Sequence, residues 1–168
     1  MAVAGPKPAA EWAVVQVKRT FRASRERVFE AWIDPELLRQ WLTGPRGSSP
    51  HAEVDPRVGG EFRIAMTSGI GKLFGLLPGQ TGVVEMVGRY LEIDRPERLV
   101  FTVGWEDFPT VTMDLEATTV SVEFNERDGE TEVVLTHERN PSRRISAFHR
   151  YGWKGSMRKL ETLLSSEK

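Results

Sequence analysis

The chain has 168 residues, a formal net charge of −1, 39% hydrophobic residues and no cysteine. That length suits one domain able to close a core or enclose a pocket. The even charge balance leaves no nucleic-acid footprint, and the missing cysteines exclude a disulfide framework, thiol catalysis and cysteine metal sites.

Residues 1–13 carry two prolines and no periodicity and read as a flexible leader; 14–168 read as a single domain. The opening MAVAGPKPAAEW lacks the apolar core of a secretion signal, and no run approaches the roughly 18 apolar residues of a membrane span. A cytoplasmic protein without membrane insertion is therefore expected. Residues 14–22 alternate as a strand. Ser24 can cap a first helix with Val28, Phe29 and Trp32 on one face. Asp34 and Pro35 then suit the cap and first position of a second helix, whose stripe Leu37, Leu38, Trp41 and Leu42 stops at Gly44-Pro45. From His51 to His137 the pattern is of strands, near 51–55, 60–67, 83–94, 98–105, 111–117, 119–126 and 131–138. Glu116-Ala117-Thr118 can be a turn or a bulge. Asn140-Pro141 offers a cap and first position for a long helix over about 142–165, whose apolar side runs through Ile145, His149, Gly152/Trp153, Ser156/Met157, Leu160 and Leu163/Leu164. An antiparallel sheet with one apolar face needs a cover, and only this helix is long enough to supply it.

Several polar residues carry competing readings. His51, Glu53 and Asp55 share one strand face and could bind a metal, but a solvated face explains them equally, and no metal site is expected. His137 is in phase with Val133 and Leu135; it either lines a cavity or, more plainly, reaches solvent at a strand end. His149 lies on the inward stripe of the long helix, as a bonded core histidine or a polar pocket contact. Arg63 and Arg89 fit a solvent face; turned inward, either could hold a ligand carboxylate. Tyr90 and Trp105 read as apolar lining or core. The chain has no G-x-S-x-G, H-E-x-x-H, phosphate-loop or dinucleotide motif, so no catalytic residue and no cofactor are assigned.

Four stretches, VFEAWIDPELLRQWL, DPRVGGEFRIAM, GRYLEIDRPERLVFT followed by Trp105, and GWKGSMRKLETLL, occur in order. Together they resemble the START-like (SRPBCC, helix-grip) superfamily, most of all the branch named after the activator of the heat-shock-protein-90 ATPase. The resemblance spans about 14–165. It implies an α+β helix-grip fold: a curved antiparallel sheet of six or seven strands wrapped round a long C-terminal helix, with two short helices after the first strand. In the family the face of the helix carrying Gly152 and Gly155 points into a cavity. The expected ligand is a small apolar or amphipathic molecule, held by Phe62, Ile64, Met66, Leu73, Phe74, Met86, Phe101, Trp105, Phe148 and Met157 and oriented by His137, His149 or an arginine. Relatives generally have a shorter, more polar connection where residues 68–80 stand. That apolar, glycine-rich segment is expected as a lid or rim, with extra core or a homodimer contact as the other readings. A cyclase- or hydrolase-type enzyme using the same cavity, and a protein-binding module, are the alternative functions.

Overall fold

The computed structural model describes residues 13–67, 82–107 and 113–166. The chain runs β1 (Ala13–Phe21), α1 (Arg25–Ala31), α2 (Pro35–Trp41), β2 (Ser48–Val54), β3 (Glu61–Thr67), β4 (Val83–Asp94), β5 (Arg98–Glu106), β6 (Met113–Arg127), β7 (Glu130–Asn140) and α3 (Arg143–Ser166). The seven strands form one antiparallel sheet in the order β1-β7-β6-β5-β4-β3-β2. Consecutive strands from β2 to β7 are neighbours, as a meander requires. Only β1 pairs out of sequence, so α1 and α2 carry the chain from one edge of the sheet to the other.

Local chemistry sets the helix ends. Ser24 Oγ accepts from the amide of Arg27, and Asp34 Oδ1 accepts from the amides of Glu36 and Leu37 at 2.8 and 3.0 Å. At α3 the sequence expectation needs correcting. Ser142, not Asn140, caps this helix, its hydroxyl accepting from the amide of Ile145 at 3.2 Å. Asn140 is fully buried and bonds elsewhere. A second correction concerns the strands expected at 111–117 and 119–126, which are one strand, β6. The ladder with β5 slips beside Val103: Val103 faces Thr118, whereas Trp105 faces Met113. Glu116-Ala117-Thr118 therefore lies at a bulge rather than a turn.

The concave face of the sheet holds Phe62, Ile64, Tyr90, Leu99, Phe101, Val120, Val122, Phe124, Val133 and Leu135, all buried. Trp153, Met157, Leu160 and Leu164 of α3 close over it. Trp32 sits deep in the core, stacking on Trp153 at 6.0 Å and meeting Phe124 edge-on. Trp41 contacts Trp32 at 4.7 Å and donates to the Ala31 carbonyl at 2.9 Å. Two short helices, sheet and long helix thus meet in one aromatic cluster. The opposite face is polar: Arg63 bonds Glu85 and Glu106, Arg89 bonds Glu61 and Glu116, and Arg98 bonds Glu92 and Glu123.

Candidate functional site

α3 meets the sheet unequally along its length. Its C-terminal half, with Met157, Leu160 and Leu164, is packed into the core. Its N-terminal half stands off, leaving a cavity of about 290 Å³. One wall is the sheet, with Met66, Val84, Met86, Val103, Trp105 and His137. The second is α3, with Phe148, His149, Tyr151, Gly152, Trp153 and Ser156. The third is the connection from α2 to β2, Leu42 to Gly47.

Two glycines on α3 explain this shape. A methyl group on Gly155 would lie 2.4 Å from Pro45 Cδ and 2.6 Å from Pro45 N, so glycine lets the connection press against the helix. A methyl group on Gly152, one helical turn earlier, would meet nothing within 4 Å among the described residues. One glycine permits close contact and the other leaves space. The connection is further tied down by Gly44 N–H, which donates to Ser156 Oγ at 2.8 Å. Lys159 Nζ also donates, to Thr43 Oγ1 and the Gly47 carbonyl, both at 2.6 Å.

The polar floor of the cavity is a network joining helix to sheet twice over. Trp105 on β5 donates its indole N–H to His149 Nε2 on α3 at 2.9 Å. In return, Trp153 on α3 donates to His137 Nδ1 on β7 at 3.0 Å. An indole nitrogen only donates, so both receiving nitrogens are unprotonated and each ring carries its hydrogen on the other one. His149 Nδ1–H then donates to Asn140 Oδ1 at 2.6 Å, and His137 Nε2–H to Thr118 Oγ1 at 2.8 Å. Thr118 passes its hydroxyl hydrogen to the Val103 carbonyl at 2.8 Å, and Asn140 Nδ2 donates to the His137 carbonyl at 2.9 Å. The two imidazoles stack with centroids 4.2 Å apart. His137 is fully buried and His149 is 4% exposed. Burial holds His149 down to about 4, and His137 is pushed well below the usual histidine range by burial and by His149 beside it. Both rings are neutral near pH 7, with every ring nitrogen in a hydrogen bond.

The expected site residues divide accordingly. Met66, Met86, Trp105, His137, Phe148 and His149 line the cavity. Phe62 and Phe101 instead pack with Tyr90, ring centroids 5.6 to 6.3 Å apart, and Ile64 and Met157 are in the closed core. Leu73 and Phe74, with the rest of 68–80, lie outside the described residues. His137 does not reach solvent at its strand end, and Arg63 and Arg89 point away from the cavity into their ion pairs. His51 pairs with Glu53 at 2.9 Å and Asp55 with Arg57 at 2.7 Å; among the described residues no three metal-ligating side chains converge. Sequence reasoning missed the third wall, because Gly44-Pro45 marks where a helix stops but not what the following turn packs against. It also missed Asn140 and Thr118, polar residues that a period-two pattern cannot assign to a partner.

A curved sheet gripping a C-terminal helix, with a cavity at one end, defines a helix-grip domain. The sequence assigns it more narrowly: residues 22–165 match the family described as Activator of Hsp90 ATPase homolog 1-like protein, and the chain belongs to that family. No curated protein is a significant match. Among solved structures, the AHSA1 protein from Silicibacter pomeroyi superposes with a TM-score of 0.74 at 24% identity, covering 93% of this chain and 100% of its own. A protein from Chromobacterium violaceum gives 0.72 at 23% identity, covering 90% and 96%. The AHSA1-like protein from Aeromonas hydrophila gives 0.69 at 20% identity, covering 92% and 93%. These likenesses carry the fold. Among the described residues no helix is long and apolar enough to cross a membrane.

Proposed function

We propose that the protein binds one small, largely apolar molecule in the cavity between β3–β5 and the N-terminal half of α3. The observation that carries this reading is the open space in front of Gly152. A helix interior normally disfavours glycine by about 1 kcal/mol relative to alanine, and a methyl group here would have met no obstacle among the described residues. Retaining glycine beside an apolar wall keeps volume for something other than the protein's own side chains. With about 30 Å³ per water in the liquid, 290 Å³ corresponds to a body on the order of ten to fifteen non-hydrogen atoms. Such a body would bury roughly 200 Å² of apolar surface, about 5 kcal/mol at 25 cal/mol per Å².

The histidine network supports a carrier or sensor over a cyclase or hydrolase. A general acid or base needs a nitrogen within reach of substrate. Here all four ring nitrogens are spent on Trp105, Trp153, Thr118 and Asn140. The rings shape and rigidify the floor rather than offer protons.

The test is a titration of a neutral planar probe, 2-naphthamide, followed by tryptophan emission, since Trp105 and Trp153 line the cavity. The wild type should bind it saturably, and Gly152→Leu, which fills the space in front of the helix, should weaken binding by at least about tenfold. Equal affinity in a folded Gly152→Leu protein would overturn the proposal.

A further inference from the structure

We infer that the ligand is a small apolar acid, its carboxylate placed at the corner formed by Ser156 and Arg46. This rests on the cavity-binding reading above and narrows it to one chemical class. Ser156 is 2% exposed and lines the cavity. Its oxygen accepts the Gly44 N–H, but its own hydroxyl hydrogen has no acceptor among the described residues. That is unusual for this helix: the hydroxyls of Thr162, Ser165 and Ser166 all donate back to carbonyls a turn earlier. A buried hydroxyl with an unspent donor is costly unless something in the cavity accepts from it.

The charge around that corner has one sign. Arg46 lines the cavity where it meets solvent and forms no ion pair among the described residues, whereas Arg63, Arg89 and Arg98 each hold two carboxylates. Lys159 stands behind the same turn, and among the described residues it bonds the neutral oxygens of Thr43 and Gly47. No Asp or Glu is among the described residues of the lining. One cation in the lining, a second behind the turn, one unspent hydroxyl and no carboxylate among the described lining residues favour an anionic oxygen there. The guanidinium fork suits a carboxylate, and a ligand's ring would extend from it toward Met86 and Trp105.

The experiment compares 2-naphthoate with 2-naphthamide, which match atom for atom in shape and differ in charge. In wild-type protein at low salt the acid should bind at least about tenfold tighter than the amide, and added salt should shrink the difference. Arg46→Gln should remove the preference, bringing the acid's affinity down to that of the amide in the same protein. Ser156→Ala should weaken the acid severalfold more than the amide. An amide that binds wild type as tightly as the acid, or an Arg46→Gln protein with its preference intact, overturns the acid assignment and leaves the cavity reading standing. Binding of neither probe overturns both.

Discussion

Each buried imidazole receives an indole N–H, so protonating His137 or His149 would set donor against donor on a ring almost wholly buried in the protein. The consequence is a pH-dependent stability with a definite sign. In the unfolded chain both rings titrate near the ordinary 6.5; in the folded protein both lie lower, His149 at about 4. A lowered histidine contributes its full stability above 6.5 and loses it as pH falls toward the folded value, because the unfolded chain then takes up protons that the folded one refuses. Urea unfolding should therefore show stability falling between about pH 7 and pH 5 by on the order of 1–2 kcal/mol per ring. A flat profile across that range would contradict the neutral network. The sequence placed His149 on the inward stripe but could not say which atoms its nitrogens would meet. Their partners lie 44 residues earlier in the chain, at Trp105, and 9 residues earlier, at Asn140. No local pattern encodes such pairings.

Helix α3 is one element with two jobs, and its glycines separate them. Gly152→Ala places a methyl group in open space and removes a flexible residue from a helix interior, so it should stabilise the fold by about 0.5–1 kcal/mol. Gly155→Ala drives the same group into Pro45, which Ser156 and Lys159 hold in place through Gly44, Thr43 and Gly47. It should destabilise by about 1–3 kcal/mol. Thermal or urea unfolding of the two variants side by side checks the opposite signs, and equal effects would contradict this division of the helix. Both glycines were visible in the sequence, on the helix face that the family resemblance turns toward a cavity. Which glycine had which role depended on the turn after α2, whose packing partner is more than 100 residues away. The helix start misled for a related reason. Asn140 looks like a cap from its neighbours Pro141 and Ser142, yet burial drew it into the histidine network and Ser142 took the cap.

At the scale of the whole molecule, alternation and four ordered motifs made the architecture legible almost strand by strand, since a sheet with one buried face fixes which residues point inward. The cavity was less legible. Phe62, Ile64, Phe101 and Met157 have the same apolar character and phase as Met66 and Met86, but only the end of the sheet where α3 stands off has room. Helix position, rather than residue type, decides which apolar residues become lining. The methionines make this testable in one measurement. With methyl-labelled methionine, 2-naphthamide titrated into the protein should shift the Met66 and Met86 resonances saturably and together, while Met157, sealed in the core, moves little. Shifts of equal size at Met157, or no saturable shift at Met66 and Met86, would contradict a ligand cavity between the sheet and the N-terminal half of α3.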